Sequence, residues 1–191
     1  MENGYAIVRN CVSKDILTVC ENYFRMKFFV QKDFTTSTDS HLGEFDPVKP
    51  FNHYDYSDTL TEALLVPLMP VISKATGVEN LVPTYSFVRF YEKGQYLVPH
   101  KDRISCQYSI TLPLVSECNT PWPIFAGGNE IDLNIGDLLV YKGCEIEHWR
   151  EPYNGIWQVQ AHLHYVNADD PGYAHMAFDG RPSLGVKKSS R

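Results

Sequence analysis

Between Thr84 and Val166 the chain is a succession of eight short β-rich runs, and no helical period competes with them in that stretch. The runs are TYSFVRFY, QYLVPHKD, QYSITLPL, PIFAGG, EIDL, DLLVYKG, EIEHWRE and IWQVQAHLHYV, separated mostly by Gly, Pro and Asn. Strands this short and this closely spaced leave few ways to bury their apolar faces. They predict a mainly β jelly roll, a sandwich or barrel whose distant strands return against one another.

The flanks read differently. GYAIVRNCV alternates like a strand. Ser13 can cap a helix to about Phe28, with Ile16, Leu17, Val19, Cys20, Tyr23 and Phe24 on one side. Residues 31–55 have no period and read as a long loop. Its aromatic and histidine residues (Phe34, His41, Phe45, Phe51, His53 and Tyr54) make it a candidate lid. Ser57 or Asp58 caps a second helix through Ala75, which Pro67 and Pro70 should kink or break and Gly77 should end. The expected organisation is an N-terminal strand, helices and lid loop over 1–80, a β core over 81–167, and a surface tail over 168–191, partly disordered.

The 191 residues suit one domain, and 43% apolar with 13% aromatic content suits a packed core. A net charge of −6 argues against a nucleic-acid partner, since phosphate binding needs clustered Lys and Arg. MENGYAIVRN lacks a basic segment leading into an apolar one, and no apolar run is long enough to span a bilayer. The expectation is a cytoplasmic protein with no membrane partner. Five cysteines without a CxxC pair predict buried thiols rather than disulfides or a thiolate zinc site.

The chemistry concentrates in PHKD. His100 and Asp102 are two residues apart, so on a strand they would share a face. His148 follows several strands later, where a jelly roll can bring it back. Two imidazoles and one carboxylate on one side of a metal leave three positions open, the donor set of non-haem Fe(II) oxygenases. HxD alone occurs by chance, and its bland reading is a surface pair at a strand end. What raises it is the order of pieces after it: a β run, the Gly136-Asp137 turn, LLVY, and a histidine in a new strand.

Over these pieces the chain resembles the Fe(II)/2-oxoglutarate-dependent dioxygenases, most closely the small prolyl 4-hydroxylase-like members. The resemblance rests on FVRFYEKGQYLVPHKD, YSITLPL, IGDLLVYKG and EHWREPYNGIWQVQAHLHYV, with weaker support from GYAIVRNCVSKDIL and FDGRPSLG. It implies a double-stranded β-helix with N-terminal flanking helices. It implies Fe(II) on His100, Asp102 and His148 as the catalytic centre, with 2-oxoglutarate as cosubstrate and O2 as oxidant. The reaction implied is hydroxylation of a C–H bond, most readily a prolyl residue of a protein or peptide, the alternative being a free amino acid or other small metabolite. Asp102 argues against halogenation, and a binding-only module leaves the HxD…H set without a purpose.

The chain departs from the family at one point. The basic residue usual about ten positions after the second histidine is replaced by Gln158, which cannot form an ion pair with a carboxylate. Arg150, two residues after His148, is the expected substitute. Arg89 is second and Arg103 third. The bland alternative for Arg150 is a surface arginine paired with Glu147 or Glu151. Tyr91, Thr111, Ser109 and Gln158 are expected to complete the cosubstrate pocket. Gln158, Gln160, His162 and His164 share one face of the last strand, and lining of a pocket competes there with exposure to solvent. Trp122, Trp149 and Tyr153 fall near the expected cleft mouth, where core packing is an equally good reading.

Overall fold

The structure, a computed structural model, describes residues 1, 3–31, 44–46, 52–118 and 120–184. Eleven strands among these residues form two sheets. In chain order they are β1 Tyr5–Val8, β2 Glu44–Asp46, β3 Asn52–Tyr56, β4 Leu81–Glu92, β5 Leu97–His100, β6 Tyr108–Ser116, β7 Ile124–Ala126, β8 Asn129–Ile131, β9 Leu138–Tyr141, β10 His148–Arg150 and β11 Trp157–Asn167. The larger sheet runs β1-β9-β6-β11-β4-β3-β2, the smaller β5-β10-β7-β8, and every pairing is antiparallel. Each of the eight runs read from the sequence supplies a strand, and the fold is the expected mainly β double-stranded β-helix.

Alternation along the strands sorts the core. Val88 and Phe90 of β4, Ile110, Leu112 and Leu114 of β6, Leu138 and Val140 of β9, and Val159, Ala161, Leu163 and Tyr165 of β11 form one apolar layer. Two helices cover it, α1 Lys14–Gln31 and α2 Thr59–Thr76. Cys20 and Phe24 of α1 are fully buried, Phe28 stacks on Trp157 at 4.9 Å, and α2 adds Leu64, Leu65, Leu68 and Ile72. A side chain of this size is worth about 1.5–3 kcal/mol when fully buried. The opposite face of the same strands turns into the barrel, toward the smaller sheet. No helix among the described residues is long and apolar enough to cross a membrane.

Two expectations need correction. α2 runs unbroken through Pro67 and Pro70. Each proline removes a backbone donor, but the leucines and Ile72 hold the helix onto the sheet, Asp58 accepts from the N–H groups of Leu60 and Thr61, and left-handed Gly77 closes the other end. The region read as one long loop contains β2 and β3, which extend the larger sheet from the edge of β4; Tyr54 there stacks on Phe87 at 4.9 Å. EFD and NHYDY are too short and polar to signal strands by period. Residues 32–43 and 47–51, the rest of the candidate lid, lie outside the described residues.

The tail, read as a surface segment, is anchored at one residue. Beyond β11 the chain turns back through Ala174–Gly180 onto β4, and Arg181 drives its side chain into the protein. Its guanidinium donates to Glu62 at 2.8 Å, to the Thr84 carbonyl at 2.9 Å and to the Ser57 hydroxyl, and the Arg181 and Glu62 side chains are almost wholly buried. Residues 185–191 lie outside the described residues. Arg181→Ala strands the Glu62 carboxylate, so it should cost roughly 3–5 kcal/mol. The melting temperature should drop by roughly 6–20 °C in a thermal scan.

Candidate functional site

His100 ends β5 and His148 begins β10, and the two are directly paired across the strands, with ring centroids 4.2 Å apart. Asp102 lies just past the end of β5, so strand alternation is not what aims it. Its backbone N–H donates to the Gly143 carbonyl at 2.9 Å, and that contact turns the carboxylate toward the histidines. The Asp102 Oδ1 atom is 3.5 Å from Nε2 of His100 and 3.5 Å from Nε2 of His148. The three can reach a single ion.

The orientation of the imidazoles decides what they present. Nδ1 of His100 lies 2.8 Å from the Val98 carbonyl, and Nδ1 of His148 lies 3.0 Å from the Ile146 carbonyl. A carbonyl only accepts, so both Nδ1 atoms carry the proton and a neutral ring offers a bare Nε2. Outer hydrogen bonds of this kind fix a ligating histidine. Two nitrogen lone pairs and a carboxylate aimed at one point repel unless a cation lies among them.

A cavity of about 260 Å3 opens beside this cluster, lined among others by Tyr85, Phe87, Arg89, Tyr141, His162 and His164. The inward face of β11 is therefore not solvated: Gln158, Gln160, His162 and His164 are all buried. Burial holds His162 well below its usual pKa and brings His164 down to about 4, so both are neutral. Tyr141 sets its hydroxyl 3.4 Å from the His148 Nε2.

Arg150 is buried inside the barrel, although a register shift separates it from His148 on β10. One guanidinium nitrogen donates to the Trp122 carbonyl at 2.6 Å, and the group lies 4.7 Å over the Trp122 ring. Neither Glu147 nor Glu151 pairs with it in a salt bridge among the described residues. Its Nε and Nη2 have no hydrogen-bond partner among the described residues, and the same holds for Tyr91 Oη, Gln160 Nε2 and His162 Nε2. Burial brings the Arg150 pKa down from 12.5 to about 10. Every one of these orphan atoms is a donor or can act as one, and of these residues His162 lines the cavity beside the metal cluster.

The other expected pocket residues divide. Arg89 and Tyr91 lie on β4 opposite Gln160 and Gln158 of β11, and Thr111 donates to the Gln160 carbonyl oxygen at 3.2 Å. Arg89 lines the metal cavity. Gln158 does not reach it; its carbonyl oxygen accepts from Ser116 at 2.9 Å in a separate hollow beside Trp122 and Leu133. Ser109 lies under Asp102, to which it donates at 2.6 Å, and is committed there. Arg103 lies at the mouth, over the Tyr85 ring and paired with Asp179 at 2.9 Å. Trp122 and Tyr153 pack with Tyr91 in the core, while Trp149 stacks on Phe125.

Gly143 is the residue that sequence reasoning missed. A Cβ there would lie 2.5 Å from Asp102 Oδ2 and 2.3 Å from Ser109 Oγ. DLLVYKG carries no signal of it, since Lys142 separates Gly143 from the strand and the glycine acts by lacking a Cβ. Gly143→Ala must displace Asp102, and a tenfold or greater loss of divalent-metal affinity is expected in a Mn(II) titration.

No known protein-family pattern matches this chain, and no curated protein matches it in sequence. Solved structures do match in shape. A prolyl-4-hydroxylase from Pseudomonas putida superimposes with a TM-score of 0.59 at 15% identity, covering 85% of this chain and 91% of that one. The non-heme alpha ketoglutarate dependent carbocyclase SnoK of nogalamycin biosynthesis gives 0.67 at 11% identity, covering 98% and 90%. AviO1 from Streptomyces viridochromogenes Tue57 gives 0.63 at 14%, covering 89% and 91%. At these identities the likeness is one of fold, and the chain has the double-stranded β-helix with N-terminal helices that such oxygenases use.

Proposed function

We propose that this protein is an Fe(II)- and 2-oxoglutarate-dependent oxygenase that hydroxylates a C–H bond. The observation that carries the reading is the convergence of His100 Nε2, His148 Nε2 and Asp102 Oδ1, each histidine locked by its other nitrogen to a carbonyl two residues back. His100, Asp102 and His148 would hold the iron. When bound, iron with 2-oxoglutarate supplies oxygen activation, coupled to decarboxylation of the keto acid to succinate.

The chain's own residues do the rest. Arg150 binds the distal carboxylate of 2-oxoglutarate, its two unpartnered nitrogens donating to it. Tyr91 and Gln160 supply further donors, and Thr111 orients Gln160 through its carbonyl oxygen. Burial of these groups keeps water from competing for the carboxylate. Neutral His162 faces the cavity without adding a charge that would repel either Arg89 or Arg150. Arg89 is the alternative anchor.

The substrate we favour is a prolyl residue of a protein or peptide, on the likeness to the Pseudomonas putida prolyl-4-hydroxylase. A small-molecule substrate is the second reading. It is supported by the match to SnoK over nearly the whole chain and by Arg89, Lys101 and Arg103 around the cavity, which suit an acidic metabolite. The test is incubation with Fe(II), 2-oxoglutarate and either proline-containing peptides or free acids, followed by mass spectrometry. Addition of one oxygen atom to a peptide, with succinate formed in step, is the expected result. Oxygen added only to a free acid selects the second reading, and no 2-oxoglutarate turnover with any substrate overturns both.

A further inference from the structure

Asp102 has two oxygens, and the structure treats them unequally. Oδ1 faces both histidines. Oδ2 is enclosed on the other side, where Ser109 Oγ lies 2.6 Å away. Ser109 has one proton and three candidate acceptors, Asp102 Oδ2, the Cys106 carbonyl at 3.3 Å and His164 Nδ1 at 3.0 Å. The shorter bond to the charged acceptor takes it. His164 Nδ1 lies 3.0 Å from the same hydroxyl oxygen, and with the Ser109 proton committed, that nitrogen must be the donor. The His164 ring is held in turn against Tyr85, with centroids 4.5 Å apart.

The sequence builds this socket from three strands. Ser109 and His164 are cross-strand partners on β6 and β11, and Ser109 also pairs with Tyr141 at the end of β9. Gly143, two residues past Tyr141, closes the socket without a side chain; a Cβ there would lie 2.5 Å from Oδ2 and 2.3 Å from Oγ. The arrangement has a consequence for coordination. A carboxylate free at both oxygens can swing to bind a cation through two of them and occupy a position that the chemistry needs open.

We propose that Ser109, with its hydroxyl fixed by His164, is a positioning residue that holds Asp102 to a single metal-facing oxygen. It does so by occupying Oδ2, and it thereby leaves three coordination positions free. The inference rests on the metal reading above and deepens it. It also gives Ser109 and His164 a role at the metal carboxylate rather than at the cosubstrate.

The test is Co(II) and Mn(II) titration of the purified metal-free protein under anaerobic conditions, with binding followed by visible absorption for Co(II) and by loss of free-ion magnetic resonance signal for Mn(II). Ser109→Ala should weaken both metals about 10–100-fold, the usual effect of losing an outer hydrogen bond to a ligand. It should also alter the Co(II) d–d spectrum as Asp102 swings to bind through both oxygens. Ser109→Thr, which keeps the hydroxyl, should bind closer to wild type. His164→Asn retains an N–H donor and His164→Leu does not, so the first should exceed the second in affinity. This pair carries the test if Ser109→Ala fails to fold. Wild-type affinity and spectrum in Ser109→Ala, or equal affinities in the two His164 variants, overturn the proposal. A wild-type protein that binds neither metal overturns the metal reading itself, which separates the two failures.

Discussion

Asp102→Ala is expected to abolish divalent-metal binding and 2-oxoglutarate turnover together, with affinity falling by well over a hundredfold. That exceeds the loss from disturbing an outer hydrogen bond, because the variant removes the only anionic donor of the set. Two neutral imidazoles remain, and they offer no charge to offset the desolvation of a cation. The reciprocal effect should be visible without metal. In the wild-type protein the Asp102 carboxylate faces two lone pairs, so wild type should gain thermal stability on addition of Mn(II), whereas the variant should not. Metal-dependent stabilisation that survives in Asp102→Ala would place the metal elsewhere. His148→Ala should behave in the same way, since its nitrogen is equidistant with that of His100 from Asp102 Oδ1.

The second large effect belongs to Arg150. Arg150→Leu should raise the 2-oxoglutarate requirement by roughly a hundred- to a few-thousand-fold, the equivalent of about 3–5 kcal/mol for a desolvated charge pair. Its effect on the ligand-free protein has a different basis. The folded-state pKa is lowered to about 10, below the ordinary 12.5, so folding disfavours the charged form. The sign follows from proton counting. Above about pH 10, until the ordinary arginine value is reached, the unfolded chain holds the proton and the folded chain does not, so stability rises with pH across that window. At neutral pH the whole cost is present, on the order of 3 kcal/mol. Loss of the bond to the Trp122 carbonyl works the other way, at about 1–3 kcal/mol. The net expectation is a ligand-free Arg150→Leu protein close to wild type in melting temperature, combined with loss of the stabilisation that 2-oxoglutarate gives the metal-loaded wild type. If Arg89→Leu loses that stabilisation and Arg150→Leu keeps it, the anchor is Arg89.

How much of this was legible beforehand depended on whether one residue's chemistry or several residues' spacing carried the information. HxD and a distant histidine are rare donor types in a fixed order, and the strand runs around them alternate clearly, so both survive without coordinates. Gln158 was legible as a departure, yet its actual position beside Ser116 was not, because register decides which end of the barrel a β11 residue faces. Ser109 was read as a cosubstrate contact from its inward face alone; only its distance to Asp102 reveals where its proton goes. Gly143 acts through the absence of an atom, which no side-chain chemistry announces. The helix through Pro67 and Pro70 shows packing overriding a local penalty. β2 and β3 show the reverse, strands whose residues hold no pattern and whose order comes from the free edge of β4.

The buried pair of Arg181 and Glu62 bears on how the molecule can be made. A ribosome releases Glu62 long before Arg181, and β11, which joins β4 to β6, appears only after both of those strands. Until then β4 and β6 have no common neighbour and the carboxylate under α2 has no counterion. Folding must therefore wait until β11 and Arg181 have emerged, as expected where pairings span long sequence separations. Chains ending shortly before Arg181 should accumulate as aggregates rather than as a slightly less stable soluble protein.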